Sequence, residues 1–312
     1  MTVAVLNALL RPLLEPHLPD WVGPRWYASK DEALELAPQA EIGWFDFHSR
    51  HDVVAAIERA ERMKWLNSIF AGVEAFPLEL MERRGVLLTN GPGLNAITIA
   101  EYVVMGMLTV AKGYREVVRA QDRHEWLRDS PGKRELLGSK ALILGYGAIG
   151  QLVDQRLAGF GVEVTKVRRQ PGPGTIGPDE WRARLGEFDW VILAVPVTPE
   201  TEGMIGAAEL AAMKPEAVLL NVARGSVVNQ AALVAALADK RIHAAFLDVT
   251  TPEPLPPDHP LWALDNAHVT MHLSGRAQDK VFVRAAERFL ANLDRYGKGE
   301  RLEPLVDYAR GY

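Results

Sequence analysis

Ala141-Leu142-Ile143-Leu144-Gly145-Tyr146-Gly147-Ala148-Ile149-Gly150 decides how this chain is read. An apolar run of strand type enters Gly-x-Gly-x-x-Gly, and an amphipathic stretch from Gln151 to Phe160 follows. In a dinucleotide site Gly145 makes the tight turn, Gly147 lets the backbone approach a pyrophosphate, and Gly150 lets the helix pack close to the strand. The helix start offers free N–H groups and a positive dipole end to the phosphates, with Tyr146, Ala148 and Ile149 lying against them. A glycine triplet alone is a weak signal that also fits a turn in another α/β protein. The strand before it and the helix after it make this one a fingerprint.

The 312 residues give room for two domains of about 100–200 residues each. Apolar types make up 48% of the chain, enough for a sizeable core. The formal net charge of −5, with no basic block, argues against nucleic acid or an anionic membrane surface as the main partner. The chain has no cysteine, which excludes disulfides, thiolate nucleophiles and cysteine-based metal or iron–sulfur sites. Met1 to Leu10 carries no leading positive charge, and Arg11 and Pro12 break its apolar run, so it reads as a first strand and not as a signal peptide. The longest apolar stretch, from Ile97 to Ala111, contains Glu101 and is too short to span a bilayer. A soluble, cytoplasmic protein is expected.

Working outward, short apolar runs alternate with helical patterns, which implies parallel sheets covered by helices. Strands are expected at residues 3–6, 42–45, 65–69 and 86–89, with helices at 52–62 and 77–83 among them. A long helix is expected from 96 to about 120, followed by a polar segment, 121–134, that holds Trp126, Pro131 and Gly132. The second series has strands at 141–144, 162–167, 190–195, 218–222, 244–249 and 268–271, then a helical tail at 277–296.

An acidic residue that grips the ribose 2′-hydroxyl of NAD belongs at the end of the second strand, about 20 residues past the glycines. Counting through Gly161-Val162-Glu163-Val164-Thr165-Lys166-Val167 reaches Arg168 and Arg169 instead. Guanidinium groups suit a 2′-phosphate. NADP(H) is therefore expected in preference to NAD(H), with solvent-facing arginines as the plain alternative. Three further residues form a candidate site. Arg224 follows the apolar run Leu219-Leu220-Asn221-Val222-Ala223, Glu253 lies in Asp248-Val249-Thr250-Thr251-Pro252-Glu253-Pro254, and His272 closes Val269-Thr270-Met271. All three stand just past the carboxyl ends of expected strands, where ligands bind in open α/β sheets. Reduction of a 2-oxoacid asks for these types. Arginine holds the carboxylate and polarises the carbonyl. Histidine gives a proton to the forming alkoxide. A neighbouring carboxylate favours the imidazolium. Singly, each is as well explained by structure; the joint placement carries the reading.

With these residues in view, the chain resembles the D-isomer-specific 2-hydroxyacid dehydrogenases over nearly its whole length. The resemblance rests on the glycine turn, Val195-Pro196-Val197-Thr198-Pro199-Glu200-Thr201-Glu202-Gly203, residues 221–228 and 248–256, His272-Leu273-Ser274-Gly275 and Asn90-Gly91-Pro92-Gly93-Leu94-Asn95. It implies an α/β fold of two doubly wound parallel-sheet domains. One is a discontinuous, flavodoxin-like substrate domain of residues 1–95 plus 277–312, the other a Rossmann-type dinucleotide domain of residues 96–276. It implies Arg224, Glu253 and His272 as the catalytic trio, with Arg224 and His272 also touching substrate. Val195, Pro196, Thr198, Val222, Ala223, Asp248, His272 and Gly275 would line the cofactor. Backbone N–H groups near Phe70, Ala71 and Gly72 would take the substrate carboxylate, and Trp44 would cap the pocket unless it lies in the core. A homodimer is implied, with the polar segment 113–137 as an arm toward the partner or else a solvated loop.

Two departures narrow the resemblance. Arginine stands where the acidic residue after the second strand is usual, which puts NAD specificity in doubt. No appended regulatory domain is expected after the last helix, unlike in the longer phosphoglycerate dehydrogenases. The arginine pair and the run Trp44-Phe45-Asp46-Phe47 are most similar to the NADPH-dependent glyoxylate and hydroxypyruvate reductase branch. The expected reaction is hydride transfer from NADPH to a small 2-oxoacid, giving the D-2-hydroxyacid. Other branches, acting on phosphoglycerate, formate or larger aromatic oxoacids, and a non-catalytic nucleotide-sensing dimer are the alternatives. His48 and His51 are three apart with no further ligand nearby, so no metal site is expected.

Overall fold

The computed structural model of the chain describes residues 1–46, 50–73 and 75–309. Phe47 and His48, named above in the aromatic run and the histidine pair, lie outside the described residues. The chain divides into two compact units, Met1–Asn95 with Gln278–Tyr312, and Ala96–Ala277. Ala277, expected at the head of the last segment, belongs to the second unit; its carbonyl accepts a hydrogen bond from Thr98 Oγ1 at 2.8 Å.

The first unit runs β1 (Thr2–Asn7), α1 (Arg11–Leu14), β2 (Val22–Tyr27), α2 (Lys30–Leu36), β3 (Ile42–Gly43), α3 (Arg50–Arg59), β4 (Trp65–Asn67), α4 (Leu78–Arg83) and β5 (Leu87–Thr89). Its five strands are parallel in the order β2-β1-β3-β4-β5, the flavodoxin-type arrangement. The two-residue period of β1 supplies both faces. Val5 packs with Ile57, Leu66 and Leu88, while Ala4 and Leu6 pack with Trp44, Trp65 and Phe289. Strand β2 is absent from the sequence-based expectation because Gly23 and Pro24 interrupt its pattern. Proline is tolerated there because β2 is an edge strand, paired only with β1.

The second unit opens with α5 (Ala96–Lys112) and α6 (Tyr114–Asp122). The single long helix expected here is bent by 70° at Gly113, whose φ of +61° ends α5. A Cβ at Gly113 would also meet Gly132 N at 2.9 Å, so the polar segment folds back onto this glycine. Then come β6 (Lys140–Leu144), α7 (Ala148–Ala158), β7 (Glu163–Val167), β8 (Trp190–Leu193), α8 (Ala207–Ala212), β9 (Val218–Asn221), α9 (Gln230–Ala238), β10 (Ala244–Leu247) and β11 (Ala267–Val269). The parallel order is β11-β10-β9-β8-β6-β7. A single parallel bridge from Ile176 to Val167 lies beyond β7. Counting it as a vestigial third strand gives the 3-2-1-4-5-6 order of dinucleotide folds, with one more strand at the far edge. Leu142, Leu144, Val191 and Leu193 face one core and Ala141, Ile143, Trp190 and Ile192 the other. Helix α10 (Val281–Lys298) returns to the first unit, where Phe289 stacks on Trp65 with centroids 5.0 Å apart. Among the described residues no single helix is long and apolar enough to cross a membrane; only α5 and α6 together, across their bend, have that length and composition.

Candidate active site

The glycines occupy three different environments. Gly145 has φ +99°, and a Cβ there would lie 2.5 Å from Ala194 O. A Cβ on Gly150 would lie 2.3 Å from Gly145 O, so that glycine serves helix-to-strand packing. Around Gly147 there is nothing within 4 Å, and no side chain caps the start of α7. The exposed backbone at Gly147 and Ala148, with Ile149 half-buried behind it, is thus an open cradle at a positive helix end. Tyr146 turns away: its hydroxyl donates to Asp154 Oδ2 at 2.6 Å, and Lys166 Nζ reaches the same oxygen at 2.7 Å. That hydrogen bond raises the Tyr146 pKa. Asp154 and Lys166 were not singled out from sequence, since nothing in their spacing marks a clamp on the glycine turn.

Arg168 and Arg169 are exposed just beyond β7. Arg168 N–H donates to Ile176 O at 3.0 Å, and neither guanidinium forms an ion pair among the described residues. Arg169 sits close enough to Glu200 to help lower that carboxylate's pKa, after hydrogen bonds from Thr198 and the backbone. Two guanidiniums past the second strand, beside an open glycine turn, are a donor set that fits a 2′-phosphorylated dinucleotide. The turn after β8 is tied by Thr201 Oγ1, which donates to Pro196 O at 2.7 Å and accepts Thr198 N–H at 2.8 Å. Val195 and Thr198 are half-buried and Pro196 is exposed.

At the end of β9, Asn221 is buried and builds the turn that presents Arg224. Its Oδ1 accepts Ala223 N–H at 3.0 Å and its Nδ2 donates to Arg224 O at 2.9 Å. Val222 and Ala223 are buried; Arg224 is exposed, with Nη1 donating to Ala223 O at 2.8 Å. Gly225 comes next, where a Cβ would lie 2.1 Å from Thr250 C and O. That contact fastens the Arg224 turn to the loop after β10. In the same loop Thr250 N–H donates to Glu253 Oε1 at 3.1 Å. Glu253 Oε2 then meets His272 Nδ1 at 2.7 Å.

His272 is placed by a buried carboxylate. Asp248, expected to line the cofactor, is 2% exposed. Its Oδ1 accepts Thr270 Oγ1 at 2.7 Å, Leu273 N–H at 3.0 Å and Ser274 N–H at 3.1 Å, and its Oδ2 accepts the Ser274 hydroxyl. Asp248 O accepts His272 N–H at 2.6 Å. These bonds end β11 two residues earlier than expected and hold Met271 and His272 at φ +55° and +56°. Gly275 follows, half-buried.

In the first unit Trp44 is a core residue and not a pocket cap. It is 0% exposed, packs on Phe289 at 5.1 Å, and its Nε1 donates to Asp46 Oδ2 at 2.9 Å. Phe70 packs edge-on against Phe76, Ala71 is exposed and Gly72 is half-buried. Among the described residues the N–H groups of Ala71, Gly72 and Val73 have no hydrogen-bond acceptor.

Residues 104–274 match the family model for the D-isomer specific 2-hydroxyacid dehydrogenase, NAD binding domain. D-3-phosphoglycerate dehydrogenase of Methanocaldococcus jannaschii is 31% identical over 89% of this chain, and the chain spans about half, 54%, of that protein's length. The glyoxylate reductase/hydroxypyruvate reductase of Mus musculus is 33% identical over 74% of each chain. A solved structure of a D-isomer specific 2-hydroxyacid dehydrogenase from Xanthobacter autotrophicus Py2, in complex with NADPH and MES, is 28% identical with a TM-score of 0.77, covering 100% of this chain and 99% of that one. A fold of two parallel sheets, a glycine turn with a bare helix end and a matched model over more than half the chain agree: the chain belongs to the D-isomer specific 2-hydroxyacid dehydrogenase family.

Proposed function

We propose that the protein reduces small 2-oxoacids with NADPH, glyoxylate or hydroxypyruvate foremost, and forms the D-2-hydroxyacid. The observation that carries this is the 2.7 Å pairing of His272 Nδ1 with Glu253 Oε2 at the sheet edge that also bears Arg224 and the open glycine turn. Glu253 holds the Nδ1 side of the imidazole, so Nε2 is the atom that gives a proton to the carbonyl oxygen. Arg224 orients the acid and polarises its carbonyl. The N–H groups of Ala71, Gly72 and Val73 take the carboxylate, which makes Met1–Asn95 with Gln278–Tyr312 the substrate domain and Ala96–Ala277 the dinucleotide domain. NADPH, when bound, supplies the hydride to the carbonyl carbon. One oxoacid, one NADPH and one proton give one hydroxyacid and one NADP⁺.

The NADPH preference is supported by Arg168 and Arg169 and by the NADPH in the Xanthobacter relative. A homodimer is supported by apolar exposure along the segment after α5: Trp126, which lines a cavity of about 730 Å³, is 94% exposed, Leu137 74% and Tyr114 58%. Trp126→Glu is expected to give monomers by light scattering. A second reading, phosphoglycerate-type chemistry, is favoured by the likeness to D-3-phosphoglycerate dehydrogenase at 31% identity. A panel of glyoxylate, hydroxypyruvate, pyruvate, phenylpyruvate and phosphohydroxypyruvate, each with NADPH and with NADH, separates the readings. Highest kcat/KM is expected for glyoxylate or hydroxypyruvate with NADPH. Preference for phosphohydroxypyruvate with NADH would replace this reading by the second, and no turnover of any oxoacid would end both.

A further inference from the structure

Asp46 is an acid in the interior of the first unit that the chemistry above does not use. It is 6% exposed and stands three residues beyond β3. Its carboxylate gathers three donors: Trp44 Nε1 at 2.9 Å, Ser68 Oγ at 2.8 Å and the backbone N–H of Ile69 at 2.5 Å. Ser68 Oγ in turn accepts Phe70 N–H at 3.1 Å. From the opposite side Asn90 Nδ2 donates to Ala71 O at 2.8 Å, and Gly91 N–H donates to Phe70 O at 2.8 Å. A Cβ on Gly91 would lie 1.9 Å from Ile69 O, so the two backbones are in close contact.

The N–H groups of residues 69 and 70 are therefore turned inward, and the carbonyls of 70 and 71 are tied to the loop after β5. The next three N–H groups are left unclaimed among the described residues. We propose that Asp46 is the positioning residue for the oxoacid. Through Ser68 and Ile69 it fixes the loop whose N–H groups receive the substrate's carboxylate. This rests on the function proposed above. Fixed donors bind an anion without first reorganising, so a loop held on both sides binds more tightly than one held only from Asn90 and Gly91. An acid at this place is costly. Burial pushes its carboxyl up to about 7, against the three hydrogen bonds that pull it down. A residue placed only to fill the core would be apolar.

The test compares Asp46→Ala, Asp46→Asn and Ser68→Ala with the wild type. It measures KM and kcat for glyoxylate, Ki for oxamate as a non-reacting carboxylate analogue, and Kd for NADPH by fluorescence. Asp46→Ala is expected to raise the oxoacid KM and the oxamate Ki about tenfold or more, with kcat falling by less than KM rises and NADPH Kd unmoved. Ser68→Ala and Asp46→Asn, which keep part of the network, should each give about a threefold rise. Ser68→Ala deletes one hydroxyl and keeps the measurement open if Asp46→Ala does not fold. The inference is overturned if oxoacid KM and oxamate Ki stay within about twofold in every folded variant, or if NADPH Kd moves in step with them. A wild type that turns over glyoxylate alongside unchanged variants sinks Asp46 alone. A wild type that reduces no oxoacid sinks the function it rests on.

Discussion

Met271 and His272 stand side by side in the left-handed backbone region, at φ +55° and +56°. Non-glycine residues there cost on the order of 1 kcal/mol or more each, and such strain gathers at functional sites. Here the four bonds to the Asp248 carboxylate hold it in place. The return is an imidazole fixed with Nδ1 on Glu253. His272→Ala is expected to lower kcat by ~10²–10⁴ with glyoxylate, the usual worth of a positioned acid, while leaving NADPH Kd near the wild-type value. Steady-state kinetics and fluorescence titration check both halves. On the proposed reading Arg168, exposed and with no carboxylate partner among the described residues, sets the preference for NADPH. Arg168→Asp should raise KM for NADPH by at least about tenfold more than KM for NADH. Parallel changes in the two would remove the arginine from specificity.

The glycines separate elements that serve packing from elements that serve a ligand. Gly225 lies against the backbone of Thr250, and a methyl group there would overlap atoms that cannot rotate away. Gly225→Ala is expected to cost about 1–3 kcal/mol in urea unfolding and to pull the Arg224 and Glu253 turns apart, so that kcat falls with stability. Gly147 is the converse. Its surroundings are open, so Gly147→Ala should stay within about 0.5 kcal/mol of the wild type yet bind NADPH more weakly. Legibility follows the same division. The central strands and the glycine turn were readable because apolar runs and glycine spacing are local signals. Edge strand β2, with Gly23 and Pro24 inside it, was not. Nor was the bend at Gly113, because a glycine within a helical pattern does not reveal its φ. Arg224, Glu253 and His272 could be found one by one at strand ends. The loop-holding bonds of Asp46 and of Asp248, the latter expected only to line the cofactor, could not, because their partners lie about 22–26 residues away and only folding brings them together.

At the scale of the molecule, each unit carries a titratable group whose pKa folding shifts, and the two respond to pH in opposite senses. In the second unit His268, half-buried in β11, has its pKa lowered from 6.5 to about 4. Burial is the first cause, and the nearby cations Arg115 and Arg119 add to it, against Glu116. Between those values the unfolded chain binds a proton that the folded unit refuses. Stability is therefore complete above about pH 6.5 and falls as pH drops toward 4, by about 1–3 kcal/mol once its partial exposure is allowed for. In the first unit Asp46 is raised from 3.8 to about 7. Its unfolded form releases the proton first, so this group lowers stability as pH rises through the same window. The fold as a whole should thus show a shallower pH dependence than either group alone. Single substitutions should expose the two slopes. His268→Gln is expected to gain on the wild type as pH falls from about 8 to about 4.5, and Asp46→Asn to gain on it as pH rises over that range. Urea midpoints at the two pH values decide the matter, because a variant whose difference from the wild type is the same at both ends has lost no titrating group that folding perturbs.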